Sequence, residues 1–156
     1  MKLHLEWTRP IPLRDAATPN MIYSVDLSKL PKAAGVYVLG RQFGKELEAL
    51  YVGKANDIRG RVNQQLNNLR LMQHLRNAKI GRRIILAARL VTKPGQRRDK
   101  CLPLLERTLI RYFLSEGHDL VNTQGARVRR HEVVSSGKQP KKFIPGLLYL
   151  EKAKGE

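Results

Sequence analysis

The sequence predicts an α+β fold, a small central antiparallel three-stranded sheet flanked by helices. Three observations predict it. Two β-rich segments bounded by glycine, Gly35-Val36-Tyr37-Val38-Leu39-Gly40 and Ala49-Leu50-Tyr51-Val52-Gly53, are joined by a polar stretch containing Gly44, the pattern of an antiparallel hairpin. A third segment, Ile84 to Val91, is almost continuously apolar, as a strand covered on both faces is. Two longer stretches repeat their apolar residues at helical spacing.

The elements follow in chain order. Residues 1–32 read as an irregular arm packed on the domain, punctuated by Pro10, Pro12, Pro19 and Pro31. Within it, Leu3, Leu5 and Trp7 alternate with His4 and Glu6 as in a short strand, and Ser24 to Leu30 reads as a helical turn. After the hairpin, Asn56 or Asp57 caps a helix running to about Asn68, with Ile58, Val62, Leu66 and Leu69 inward. Gly60 inside it costs about 1 kcal/mol against alanine, a sign of close approach by a backbone or a ligand. Leu71 to Asn77 adds a short helix, and the third strand follows. Thr92 to Lys100 reads as a basic loop. A second long helix spans Leu102 to about Glu116, with Pro103 in its first turn and Leu102, Leu105, Leu109 and Phe113 on its core face. The chain leaves that helix through Gly117. Residues 126–156 form a basic extension in which Phe143 to Leu150 is apolar enough for a strand or a docked segment.

With 156 residues, the chain is sized for one domain with a real core. Lysine and arginine total 30 against 13 acidic residues, a net charge of +17. Such a surface attracts polyanions, nucleic acid first and acidic membranes second. The single cysteine, Cys101, excludes an internal disulfide and a cysteine-rich zinc site. No apolar run approaches a membrane span, and Glu6, Arg9 and Pro10 break any signal-peptide pattern, so the expected location is cytoplasmic.

The stretch Tyr51-Val52-Gly53-Lys54-Ala55-Asn56-Asp57-Ile58-Arg59-Gly60-Arg61 concentrates the chemistry. A strand end, a glycine corner and a helix start bring together a phenol, an ammonium and a guanidinium. That set suits a phosphate diester. Taken with Gly35-Val36-Tyr37 upstream, and with Glu106 and Asn122 downstream, the order resembles the GIY-YIG nuclease family. Its two motifs stand here as GVY (35–37) and YVG (51–53), and the resemblance covers about residues 33 to 123 within a domain set at 33–125. Lys54 directly after YVG resembles the excision-repair branch. The linker between the motifs is slightly longer than usual. Where many members carry His or Tyr, four residues past the helical arginine, this chain has Gln65.

The resemblance implies a metal-dependent endonuclease that hydrolyses DNA by water attack at a single-metal site. One Mg²⁺ or Mn²⁺ ion is held by Glu106, a hard carboxylate oxygen suiting a hard ion that keeps water and phosphate oxygens around it. Arg61 binds the scissile phosphate. Tyr51 is implied as general base, Tyr37 orients water or phosphate, and Asn122 orders the site. A free phenol has a pKa near ~10, about three units too high for easy base work at neutral pH. A close Lys54 would lower it by ~1–3 units. Without the resemblance, Glu106 reads as a helix carboxylate paired with Arg107 or Arg111. His74, His118 and His131 read as surface residues, with His118 a weak catalytic candidate.

Arg59, Arg97, Arg98, Arg127, Arg129 and Arg130 are read as grips on backbone phosphates, binding that weakens steeply with salt. DNA is the expected partner, with RNA left open as a substrate, no membrane partner, and no oligomeric state implied. Two further readings stay open at this point: a weak or inactive nucleic-acid-binding module on the same fold, and a toxin-like effector nuclease.

Overall fold

The computed structural model describes residues 2–78, 80–121 and 130–151, with the backbone alone for 130–132 and 149–151. In chain order the elements are β1 (His4–Trp7), β2 (Ile11–Pro12), β3 (Arg14–Asp15), β4 (Tyr23–Ser24), a 3-10 turn (Leu27–Lys29), β5 (Gly35–Phe43), β6 (Glu46–Ala55), α1 (Ile58–Gln65), α2 (Leu69–Arg76), β7 (Arg82–Val91), α3 (Arg98–Ser115), β8 (Arg130–Val134) and β9 (Leu147–Glu151). The fold is mixed α and β around an antiparallel sheet.

The expected three strands, β7, β5 and β6, make up one side of a larger sheet. Its order is β1-β7-β5-β6, and β2 also pairs with β7, which makes five strands. The N-terminal arm is therefore stitched into the sheet, with Leu5 opposite Leu90 and Ile11 opposite Ile85. Pro10 and Pro12 have no N–H to donate, so the arm pairs as two short edge pieces instead of one long strand. The expected hairpin is β5–β6, with Tyr37 opposite Gly53. Leu50 is an extra residue between the pairs Leu39–Tyr51 and Gly40–Ala49, a bulge that leaves its carbonyl free of the ladder.

Side chains alternate across the strands and sort the core into two layers. Tyr37, Leu39, Tyr51, Ile85 and Ala87 pack against Ile58 and Val62 of α1 and against Leu71, Met72 and Leu75 of α2. On the opposite face, Val36, Ala88 and Leu90 meet Cys101, Leu102 and Leu105 of α3. Val38, Ala49 and Val52 meet Leu114 and Leu120 there.

Three helix boundaries differ from expectation. α1 stops at Gln65, and Asn68 starts a new helix by accepting the Leu71 N–H on its side chain at 3.1 Å. Leu69, expected inward, thus opens α2 on the solvent side. α3 begins at Arg98, so Pro103 lies inside it and the Arg97–Arg98 pair straddles a helix start instead of a loop. Its end matches the sequence. Gly117 takes a φ of 85°, its N–H bonds to the Leu114 carbonyl, and the His118 N–H bonds to the Phe113 carbonyl, each at 3.0 Å. The C-terminal hairpin of β8 and β9 packs on α3 through β9. No helix among the described residues is long and apolar enough to cross a membrane.

Candidate active site

Both motif glycines are dictated by packing. A Cβ on Gly53 would lie 2.3 Å from Cζ of Tyr37, whose ring crosses that position. A Cβ on Gly35 would lie 1.9 Å from the Ala88 carbonyl oxygen and 2.9 Å from Cδ1 of Ile58. The tripeptides GVY and YVG thus interlock, the tyrosine of one occupying the space left by the glycine of the other.

Tyr37 and Tyr51 lie on the same face of the sheet with ring centroids 6.0 Å apart. Both are at most 1% exposed. Gln65, the last residue of α1, lies beneath them and is itself 5% exposed. Its Nε2 donates to the Tyr37 hydroxyl at 3.1 Å and to the Tyr51 hydroxyl at 3.3 Å. Its Oε1 accepts from Nδ2 of Asn68 at 3.4 Å. By sequence Gln65 is a departure from the family pattern, four residues past Arg61. Its signal is positional: Gln65 stands seven residues after Ile58 and three after Val62, on the inward face of α1.

Arg61 is exposed, one turn before Gln65, and its Nη1 donates to Oε1 of Gln64 at 3.4 Å. Its charge acts on both phenols, and its guanidinium lies within reach of the Tyr37 hydroxyl. Beside it, Ala55, Asn56, Asp57 and Gly60 line a shallow cleft. The close approach expected at Gly60 is by Asp57, whose Oδ2 would be 2.8 Å from an added Cβ. The start of α1 is closed by backbone: the N–H of Ile58 bonds to the Ala33 carbonyl at 2.9 Å and that of Arg59 to the Pro31 carbonyl at 3.2 Å. Two of the first amides of α1 are thus taken up by backbone, and Arg61 is the cationic side chain lining this cleft.

The expected Lys54–Tyr51 partnership does not form. Three residues apart on one strand, the two side chains point to opposite faces. Lys54 instead donates from Nζ to Oε1 of Glu106 at 3.2 Å. Lys54 is thus an ion-pair partner of Glu106 from a different element, where the reading without the resemblance had Arg107 or Arg111. Burial is the main cause that pushes the Tyr51 phenol well above its ordinary value, with Tyr37 and then the Glu106 charge adding to it and Arg61 opposing it. Burial likewise raises Tyr37, against the hydrogen bond from Gln65 and the presence of Arg61. The direction is opposite to the one a general base needs.

Other expected residues fall in different places. Arg59, read as a phosphate grip, spends its guanidinium on the arm: Nε and Nη2 bond to the Leu30 carbonyl at 2.9 and 2.8 Å. Arg97 pairs with Asp99 at 3.2 Å on the surface, and Arg98 is exposed in the first turn of α3. Arg130 opens β8. Asn122, Arg127 and Arg129 lie outside the described residues. Val121, one residue before Asn122, docks beside Tyr51 through its N–H to the bulged Leu50 carbonyl at 3.0 Å. His118 is half-buried, not a surface residue: Nδ1 accepts the Ala49 N–H at 2.8 Å, and its ring lies 5.2 Å from Phe113. Burial lowers its pKa.

No cluster of three or more histidine, cysteine or acidic residues suited to a metal occurs among the described residues. The carboxylate of the expected set is Glu106, whose side chain is 22% exposed, and Asp57 is a second carboxylate, in the cleft beside Arg61. One reachable carboxylate fits a hard ion that fills its remaining positions with water and substrate oxygen, and does not fit a closed structural site. Comparisons with protein-family models, with curated proteins and with solved structures give no match.

Proposed function

We propose that this chain is a metal-dependent endonuclease of the GIY-YIG type, hydrolysing phosphodiester bonds in DNA by water attack. The observation that carries the reading is the layout of β6, which carries Tyr51 on the face of α1, hydrogen-bonded to Gln65 one turn after the exposed Arg61, and Lys54, paired with the Glu106 carboxylate at 3.2 Å, on the face of α3.

In this reading Arg61 takes the scissile phosphate, its planar fork matching two phosphoryl oxygens. Glu106 would hold the divalent ion, Mg²⁺ or Mn²⁺. When bound, that ion supplies a Lewis acid for the leaving oxygen. Lys54 balances the Glu106 carboxylate and adds positive charge near the phosphate. Tyr37 and Tyr51 support the guanidinium from beneath as protonated phenols, so the base for the attacking water lies outside that pair. The excess of positive charge over the whole chain draws the polyanion in.

The test is a cleavage panel of supercoiled, linear, nicked, branched and single-stranded DNA, with an RNA arm, at fixed salt. Divalent-dependent cleavage lost in Glu106→Ala and in Arg61→Ala is the expected result. Binding without cleavage in any divalent metal would replace the proposal with the weak or inactive module on the same fold. The raised pKa of Tyr51 is what favours that second reading.

A further inference from the structure

The Gln65 amide contacts both phenols as a donor, and the other side of its head group is engaged by Asn68. The phenol hydroxyls could meet either end of the amide, but rotating it by half a turn would set its nitrogen against the Asn68 donor. The Asn68 bond therefore fixes which end faces the tyrosines. Asn68 is itself anchored, since its Oδ1 caps α2. The chain of contacts runs from the start of α2, through Gln65, to the two phenols below Arg61.

Charge gives this arrangement its consequence. A phenolate, a carboxylate or any other anion beneath Arg61 would cancel part of the guanidinium charge by direct pairing. A neutral amide donating to neutral phenols cancels none of it. We propose that Gln65 is a positioning residue that ties the Tyr37 and Tyr51 hydroxyls together as neutral phenols beneath Arg61, so that the guanidinium keeps its whole charge for a phosphate of the substrate. The inference rests on the phosphate-binding part of the reading above and not on cleavage.

The test uses the full chain in EDTA, where no metal-dependent cut occurs, and a short DNA duplex as probe. Gln65→Glu places an anion of the same size in the cluster. It is expected to weaken duplex binding by ~10-fold or more near pH 8 and to flatten the log–log salt slope by about one. Affinity should return toward wild type as the new carboxyl protonates on acidification. Gln65→Met keeps the volume and the charge but loses both donors, and should leave the salt slope unchanged. Equal binding by Gln65→Glu and wild type at pH 8, or a loss independent of pH and salt, would overturn the inference.

A ligand-free measurement separates this from the nuclease reading. With ¹³Cζ-labelled tyrosine, Tyr37 and Tyr51 should keep phenol shifts up to about pH 10. Both signals should move in Gln65→Met while Tm stays within a few degrees. Ionisation of either residue below about pH 9 would overturn the inference. A wild type that binds duplex and never cleaves it would end the nuclease reading and leave the Gln65 inference standing.

Discussion

Lys54 and Glu106 meet across the interface between β6 and α3, with Nζ 3.2 Å from Oε1. The side chains are 44% and 22% exposed, so water screens the pair and its worth to folding is below about 1 kcal/mol. Lys54→Met should therefore leave urea-denaturation stability within ~1 kcal/mol of wild type. On the proposed nuclease function, cleavage should fall by ~100-fold, the cost of losing one prearranged charge near the phosphate. Parallel denaturation and cleavage assays on one preparation check both halves.

The interlock of Tyr37 and Gly53 predicts a steric failure. Gly53→Ala puts a methyl 2.3 Å from a ring atom with no room to retreat, since Tyr37 is fully buried. A loss of ~1–3 kcal/mol is expected from overpacking. Gly35→Ala should cost more, because its methyl meets the Ala88 backbone oxygen at 1.9 Å. Paired Tm measurements give the order: wild type, then Gly53→Ala, then Gly35→Ala.

Alkaline stability follows from Tyr51. Its folded pKa is raised chiefly by burial, so above the ordinary phenol value of about 10 the unfolded chain releases a proton that the folded chain keeps. The contribution is complete below about pH 10 and is lost as pH rises toward the folded value. Chemical denaturation between about pH 9 and 11 should show a steeper loss for wild type than for Tyr51→Phe.

Acid stability follows from His118 with the opposite dependence. Burial lowers its folded pKa, against the opposing charges of Glu48 and Glu116. As pH falls below about 6.5 the unfolded chain takes up a proton that the folded chain resists, so stability drops. Protonation also removes the Nδ1 acceptor from the Ala49 N–H. Denaturation midpoints at pH 7 and pH 5 should diverge less in His118→Gln than in wild type.

The order of the central elements was legible because local signals and burial agreed. Glycine-bounded β-rich runs became β5 and β6, and the apolar run at Ile84 became β7, covered on both faces. Gly117 marked the end of α3 through the left-handed conformation it alone takes there without strain. The first strand of the arm was legible in the alternation of Leu3 to Trp7 and became β1, but its pairing was not, because it joins the arm to β7 across roughly eighty positions of sequence. The same distance problem hid the Lys54–Glu106 pair, whose members are 52 residues apart. Strand alternation alone already separates Lys54 from Tyr51, three positions away. Arg59 looked like a phosphate ligand because charge is visible in sequence and a carbonyl partner at Leu30 is not.

The most direct test of the account is nicking of supercoiled plasmid by wild type and Glu106→Ala, each with Mg²⁺ and with EDTA. The account predicts nicked and linear products from wild type in Mg²⁺ alone, and none from Glu106→Ala in either buffer although it still binds DNA. Cleavage that persists in Glu106→Ala, or in EDTA, would contradict it.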